Sequence, residues 1–250
     1  MMAQPAATTV ITAPSAEAVG REAAARIAGA LRAALGTSGR ATLALSGGST
    51  PRTAYALLAD EAGIDWAAVD VFWVDERAVS PDDERSNYRW AREALLARVP
   101  LLPQHVHRMR AEDGDLEARA ADYERALRER VELDGDGVPS FDAMVLGVGD
   151  DGHTASLFPG ETAVEVRDRL VVAVPARGSR EARLTLTPLV IEHASSVFVL
   201  ATGPAKTRAL QRAWAETGSP GETPARLVSR CRGAVTWLVD AAAAGAQPAR

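Results

Sequence analysis

Two kinds of hydrophobic pattern alternate along the chain. Short runs that are apolar at nearly every position predict buried strands at residues 41–45, 69–74, 141–146, 170–174, 196–200 and 234–239. Longer segments with apolar residues at helical spacing predict helices at residues 15–35, 51–59, 88–98, 116–133, 188–193 and 204–215. Strands that are apolar throughout are typical of parallel sheets covered by helices on both faces. The pattern therefore predicts an α/β fold of Rossmann-like type, with a mainly parallel sheet sandwiched by helices.

Length and loop composition favour one domain. The chain has 250 residues and no internal repeat, and residues 134–139 and 218–224 are ordinary polar loops. We expect a single domain over residues 1–250, with a core from about residue 15 to 245 and short flexible termini.

Charge and cysteine content exclude several classes of protein. Lys and Arg total 28 against 33 Asp and Glu, so the formal net charge is -5 and a general nucleic-acid binder is not expected. The single cysteine, Cys231, excludes an internal disulfide. The first 14 residues lack a basic segment followed by a long apolar one, and no window resembles a membrane span. These features predict a cytoplasmic protein that does not bind membranes.

The residues that follow each predicted strand carry the candidate chemistry, because ligands of open parallel sheets bind beyond the carboxyl ends of the strands. The first strand is followed by the turn Ser46, Gly47, Gly48, Ser49 and Thr50, and then by Pro51. We expect Pro51 at the first helical position, with Ser49 or Thr50 as the cap. Free N–H groups at such a helix start bind anions, although the turn could also simply connect strand to helix. No Gly-Lys-Ser/Thr follows, so this is not a P-loop.

Charged residues follow the second strand. Asp75, Glu76 and Arg77 come directly after an apolar run, where burial is costly unless they pair with one another or with a substrate. Arg77 could hold an anion, and a solvated charged loop is the alternative.

The segment after the third strand contains the best candidate for a general base. Residues 147–152 formally match the dinucleotide fingerprint G-x-G-x-x-G, but two carboxylates would repel a pyrophosphate and Pro159 leaves little room for the helix. His153 lies two residues after Asp151, and a nearby carboxylate can fix the tautomer of an imidazole that takes a proton from water. The other three histidines are expected to be structural or exposed. A metal bound by Asp150, Asp151 and His153 is conceivable, but no further ligand cluster is evident, and we expect no metal or other cofactor.

Cationic groups follow two later strands. Lys206, the only lysine in the chain, comes shortly after Pro204 in the first turn of a predicted helix, where a cation is unfavourable unless an anion binds there. Arg177, Arg180 and Arg183 follow the strand at residues 170–174 and suit phosphate or carboxylate recognition.

The ordered set of these motifs resembles the glucosamine-6-phosphate isomerase/6-phosphogluconolactonase family. The likeness runs from about residue 43 to 240 and rests on the segments LALSGGSTPRTAYALLA, VFWVDERAVSPDDERSNYRWAREALL, FDAMVLGVGDDGHTASLFPG, RLTLTPLVI and VFVLATGPAKTRAL. Membership implies the fold of the family, no cofactor, and hydrolysis of 6-phospho-D-glucono-1,5-lactone in the oxidative pentose phosphate pathway. We expect a monomer or weak homodimer.

The resemblance also implies roles for individual residues. The catalytic group would be His153 as base, with Asp151, Asp75 and Arg77. The substrate phosphate would be bound by Lys206, by the turn of Ser46, Gly47, Gly48, Ser49 and Thr50, and by one or more of the later arginines, with Arg180 and Arg183 favoured over Arg177. The segment ARGSREARLT departs from the proline-rich pattern expected at this point, so the choice among the arginines stays open.

Two alternative functions remain at this point. A glucosamine-6-phosphate deaminase shares the fold, but the family pattern for deaminases continues with Asn and Glu where this chain has Ala155, Ser156, Leu157, Phe158 and Pro159. A non-catalytic sugar-phosphate sensor would need a DNA-binding or partner segment, and no helix-turn-helix precedes residue 40.

Overall fold

The computed structural model describes residues 8–245, and its centre is a six-stranded parallel sheet. In spatial order the strands are β1 (Thr8–Ala13), β9 (Ala234–Asp240), β8 (Ser196–Ala201), β5 (Ala143–Gly147), β2 (Ala41–Leu45) and β3 (Val69–Trp73). The helices are α1 (Ala16–Ser38), α2 (Ser49–Leu58), α3 (Asn87–Ala94), α4 (Leu116–Arg130), α5 (Pro188–Glu192), α6 (Thr207–Trp214) and α7 (Ala241–Ala244). The predicted α/β sandwich is thus confirmed.

Each face of the sheet has its own hydrophobic core, because successive side chains of a strand point to opposite faces. Leu43 and Leu45 of β2 pack with α1, α2 and α3 on one face, whereas Ala44 packs with α4, α5 and α6 on the other. A strand with a hydrophobic core on each face needs apolar side chains on both faces, which explains the continuous apolar runs of the sequence.

The order of the strands creates a crevice between β2 and β5. From β2 the chain adds β3 on one side, and it then crosses to β5, β8 and β9 on the other side. Open parallel sheets bind ligands where the connections diverge in this way, at the carboxyl ends of the strands. The turn at residues 46–50 and the loop at residues 147–153 both begin at this point.

A small antiparallel sheet covers one side of the fold and corrects the prediction for residues 170–174. It contains β4 (Asp75–Arg77), β7 (Arg183–Leu186) and β6 (Val171–Val174), in that order. The segment at β6 is therefore not part of the parallel sheet. Its residues pack into the core beneath α4, so it has the same continuous apolar pattern as a parallel strand.

Several predicted boundaries are wrong. The first described element lies before the predicted start of the core near residue 15: β1 begins at Thr8 and pairs with β9 as a largely exposed edge strand that lacks a continuous apolar run. The helix predicted at 88–98 ends as α3 at Ala94, and a separate 3-10 turn follows at Leu96–Arg98. The predicted flexible termini include residues 1–7 and 246–250, which lie outside the described residues.

None of the helices within residues 8–245 has the length and apolar character of a membrane-spanning helix.

Candidate active site

A cleft of about 250 Å³ lies at the carboxyl ends of the central strands. We call it the strand-end cleft. Most of the residues predicted to form the site line it: Ser46, Gly47, Gly48, Ser49, Thr50, Asp75, Arg77, His153, Arg183 and Lys206. The tertiary structure therefore brings together residues that are up to 160 positions apart in the sequence, from Ser46 to Lys206.

The glycine turn leads into α2 and differs in detail from the prediction. The helix begins at Ser49 instead of Pro51. Its N-cap is Gly48, which has no side chain that could cap the helix. Gly48 has φ +116°, a conformation that side chains with a Cβ rarely adopt. The first turn of α2, including Ser49 and Thr50, lines the cleft. The positive end of the helix and its free N–H groups thus lie where an anion can reach them.

Gly47 is required by a close approach between two loops. A Cβ at this position would lie 1.8 Å from Oδ1 of Asn87, so any other residue would displace the asparagine. Asn87 begins α3 and lines the cleft, although it is not among the residues predicted to form the site. No local pattern marks it, because its contact with Gly47 exists only in the folded chain.

His153 and Asp151 form a hydrogen-bonded pair, as the sequence predicted. Nδ1 of His153 lies 2.6 Å from Oδ1 of Asp151, and the backbone N–H of His153 donates to the same oxygen. Burial alone would raise the pKa of Asp151, but the hydrogen bonds and charge of His153 outweigh it and lower the pKa to about 2. The ionised carboxylate accepts a hydrogen bond, so Nδ1 of a neutral His153 carries the proton and Nε2 has the free lone pair. The geometry suits a general base.

The pair is packed tightly against the loop that carries it. The Phe158 ring lies 4.6 Å from the imidazole, measured between centroids. A Cβ at Gly149 would lie 2.0 Å from Nδ1 of His153 and 2.7 Å from Oδ1 of Asp151. Glycine is thus the only residue type at position 149 that leaves room for the His153–Asp151 pair.

Substituting Gly149 with alanine is expected to displace His153, and a general base that is displaced loses much of its contribution to the rate, which is typically about 10²–10⁴-fold. The exposed Gly29 of α1 has nothing within 4 Å of its Cβ position, so Gly29→Ala is the matched control. Steady-state kinetics of both variants, with circular dichroism to verify folding, checks this. Full kcat in a folded Gly149→Ala protein would contradict the packing argument.

A buried network holds the acidic motif in place. The Asp75 carboxylate accepts hydrogen bonds from Nδ2 of Asn87 at 3.0 Å and from Oγ of Ser156 at 2.6 Å. Nη1 of Arg183 lies 3.7 Å from Asp75. Burial lowers the pKa of Arg183, and the charge of Asp75 opposes that shift. Asp75 therefore organises neighbouring side chains from a helix, a loop and a strand.

Glu76 serves a structural purpose that the sequence analysis did not foresee. Its buried carboxylate accepts hydrogen bonds from the backbone N–H groups of Arg77, Asn87 and Tyr88. Burial raises its pKa, and these hydrogen bonds limit the rise. Glu76 thus fixes the start of α3 next to the strand that carries Asp75 and Arg77. Arg77 in turn donates from Nη1 to the backbone oxygen of Arg85.

Lys206 is paired with an acid instead of being left unbalanced at a helix start. It lies in a 3-10 turn at Pro204–Lys206, just before α6, and its Nζ donates to Oδ1 of Asp150 at 2.6 Å. The neighbouring loop is joined to the glycine turn by a hydrogen bond of 2.6 Å between the hydroxyls of Thr50 and Thr202. The cation and the helix start therefore lie on adjacent walls of the cleft.

Arg180 does not lie in the cleft, which corrects the sequence expectation. Its guanidinium pairs with Glu161 at 2.7 Å and stacks over the Phe158 ring at 3.8 Å from the centroid. Arg177 pairs with the same Glu161 and is largely exposed. Of the three arginines, the structure places Arg183 alone in the lining of the strand-end cleft.

The remaining histidines lie outside the cleft. His107 is paired with Asp70 and His193 with Asp134, each at 2.5 Å. Asp134, Asp136 and His193 form the one group in residues 8–245 whose atoms are close enough to share a metal. Arg232 pairs with both Asp134 and Asp136, so these residues form an ion-pair cluster.

A parallel α/β sheet that carries a histidine–aspartate pair beside a helix start and a lysine is typical of enzymes that act on small anionic substrates. Residues 14–237 match the family described as glucosamine-6-phosphate isomerases/6-phosphogluconolactonase. The chain belongs to this family, as the motifs predicted.

Individual relatives place the chain more closely. It is 41% identical to the 6-phosphogluconolactonase of Synechocystis sp. over 207 residues, which cover 83% of this chain and 85% of the relative. It is 39% identical to the 6-phosphogluconolactonase of Streptomyces coelicolor over 246 residues, covering 93% and 92%. The solved 6-phosphogluconolactonase from Trypanosoma brucei has a TM-score of 0.84 at 30% identity, covering 95% and 98%. A monomeric glucosamine-6-phosphate deaminase shares the fold, with a TM-score of 0.78 at 21% identity, covering 94% of this chain and 98% of that one.

Proposed function

We propose that this protein hydrolyses 6-phospho-D-glucono-1,5-lactone to 6-phospho-D-gluconate. The observation that carries the proposal is His153, paired with Asp151, in the same cleft as Lys206, Arg183 and the start of α2. A base for water and several groups for an anion are what hydrolysis of a phosphorylated lactone needs. The names of the relatives described above support this choice of substrate.

His153 activates the attacking water in this proposal. Nε2 takes a proton as the water oxygen bonds to the lactone carbonyl carbon, and the ionised Asp151 stabilises the imidazolium that forms. The bond from that carbon to the ring oxygen then breaks, and the imidazolium returns its proton to the ring oxygen. The product is first a carboxylic acid, which releases the second proton of the water to solvent and becomes the carboxylate at neutral pH. No covalent enzyme intermediate is needed because a lactone is already an activated ester.

The substrate phosphate is assigned to the wall formed by α2 and Lys206. The helix start offers free N–H groups, the ammonium offers charge, and the Thr50–Thr202 hydrogen bond keeps the two together. Arg77 and Arg183 line the part of the cleft next to Asp75, where they are available to the oxyanion and the sugar hydroxyls.

A coupled assay tests the function. The lactone is generated enzymatically, this protein is added, and formation of 6-phosphogluconate is followed through its dehydrogenase, after subtraction of spontaneous hydrolysis. We expect clear acceleration and no ammonia release from glucosamine 6-phosphate. A rate equal to the spontaneous one would refute the proposal, and ammonia release would assign the chain to the deaminase branch.

Removing the charge of Asp150 is expected to strengthen substrate binding. The phosphate must replace Asp150 as the partner of Lys206, so Asp150→Asn should lower KM by about two- to fivefold, the value of a partly exposed ion pair, and leave kcat unchanged. Asp113→Asn, at an exposed position outside the cleft, is the control for net charge. An unchanged or higher KM for Asp150→Asn, measured at equal ionic strength, would show that the pair does not compete with the substrate.

A further inference from the structure

A second cavity is larger than the strand-end cleft. This second cavity has a volume of about 640 Å³ and lies between α3, α4 and the segment from Leu101 to Arg110. It shares no lining residue with the strand-end cleft. Its volume is within the usual range for small-molecule sites, about 300–1,000 Å³. We call it the arginine cavity.

The lining of the arginine cavity is rich in arginine, although the net charge of the chain is negative. It contains Arg92, Arg108, Arg110 and Arg119, with Asp122 as the sole acidic lining residue. Three of these arginines form one ion pair each: Arg92 with Asp82 at 2.8 Å, Arg108 with Glu112 at 2.6 Å and Arg119 with Asp122 at 3.1 Å. The four arginines and their three acidic partners leave an excess of one positive charge, and the clustered guanidinium donors suit an anion with more than one acceptor oxygen.

Two of these arginines have donors that the described residues leave free. Arg110 makes no ion pair within residues 8–245 and is exposed at the mouth of the cavity. Nε of Arg119 is buried and has no hydrogen-bond partner among these residues. Nε is shielded from solvent, so a ligand in the cavity reaches it only when the Arg119 guanidinium shifts. A hydrogen bond formed there would offset the cost of the unpaired buried group.

The remainder of the lining is apolar and aromatic. Leu96, Leu101 and Val106 form one wall. The Tyr88 ring lies 5.6 Å from the guanidinium carbon of Arg92 and 5.6 Å from that of Arg108, which fixes both cations beside an apolar surface. A bare inorganic anion would leave this wall uncovered. A ligand with an anionic group at one end and a flat ring at the other would cover both.

We propose that the arginine cavity binds a nucleotide, with the phosphate on Arg110 and Arg119 and the base against Leu96, Leu101 and Val106. Arginine guanidinium groups match the geometry of phosphate, and the apolar wall suits the flat face of a base. The site is separate from the one proposed for the lactone, and it does not rest on that proposal.

The floor of the arginine cavity touches the strand that leads into the strand-end cleft. The Tyr88 and Trp73 rings lie 5.5 Å apart, and the Tyr123 hydroxyl hydrogen-bonds with the backbone of Trp73, two residues before Asp75. Lactone kinetics with and without a saturating nucleotide would therefore measure any coupling between the two sites.

Isothermal titration calorimetry of the full chain tests the proposal. The probes are the four common nucleoside 5′-monophosphates, adenosine and inorganic phosphate. We expect at least one monophosphate to bind more tightly than adenosine or phosphate alone. We expect Arg110→Ala to weaken that binding about tenfold or more, which is the usual effect of losing a charged hydrogen bond.

Two controls separate this site from others. Arg128→Ala removes an exposed arginine of α4 outside the cavity and should leave nucleotide binding unchanged. Lys206→Ala removes a cation of the strand-end cleft and should also leave it unchanged. The proposal is overturned if no monophosphate binds at millimolar concentration, if phosphate alone binds as tightly, if Arg110→Ala has no effect, or if Lys206→Ala abolishes binding.

Discussion

Substituting His153 with glutamine is expected to lower kcat for lactone hydrolysis by about 10²–10⁴-fold, the usual contribution of a general base. Glutamine is polar and similar in size, but it cannot accept a proton from water at neutral pH. KM should change little, because the phosphate is assigned to the wall of Lys206 and α2. Stopped assays corrected for spontaneous hydrolysis measure both constants.

The control for this experiment is His105→Gln, at a histidine that does not line the strand-end cleft. It should retain full activity. Near-wild-type turnover of His153→Gln would show that another group activates the water, and the roles of His153 and Asp151 would have to be reassigned.

Substituting Lys206 with alanine is expected to raise KM about 10- to 100-fold, because a charged hydrogen bond to the phosphate is lost. The contact is remote from the reacting carbon and serves ground state and transition state alike, so kcat should fall only if positioning suffers. Asp150 should raise KM further, because its carboxylate loses the Lys206 ammonium at 2.6 Å and then repels the nearby phosphate. The double variant Lys206→Ala, Asp150→Asn should therefore recover part of the loss.

Two further variants make this test specific. Arg208→Ala removes an exposed cation from α6 and should leave KM unchanged. Lys206→Arg keeps the charge but replaces a compact ammonium with a broader guanidinium, and we expect a KM between those of the wild type and the alanine variant. Equal KM values for the lysine and arginine proteins would mean that the one lysine in the chain is accidental, and an unchanged KM for Lys206→Ala would remove it from the site.

The sequence was sufficient for those parts of the site that lie within one loop. Asp151 and His153 are two residues apart, so a turn tightened by glycines brings them together wherever the loop lies in the fold. For the glycine turn after β2, the sequence predicted the turn and the helix that follows, but it placed the helix start two residues late, at Pro51 instead of Ser49. Local conformation decides such contacts, and local sequence encodes it.

Contacts between distant segments could not be predicted in this way. Asn87 and Ser156 both donate to Asp75, yet they come from α3 and from the loop after β5. Asp150 and Lys206 are 56 residues apart, and neither motif alone indicates that they pair. Arg180 and Arg183 look equivalent in the sequence, but antiparallel pairing of β7 with β4 places Arg183 opposite Arg77 and beside Asp75, whereas Arg180 reaches Glu161.

The sequence by itself determined the α/β class, the family and the loops that carry the chemistry, because buried strands and tight turns impose apolar runs and glycines at fixed positions. Only the tertiary structure decided which side chains share the strand-end cleft, that β6 belongs to a separate antiparallel sheet, and that a second, cationic cavity lies between α3 and α4. The physical reason is that hydrophobic burial is non-directional and specifies layers, whereas hydrogen bonds and ion pairs between distant segments depend on the final packing of those layers.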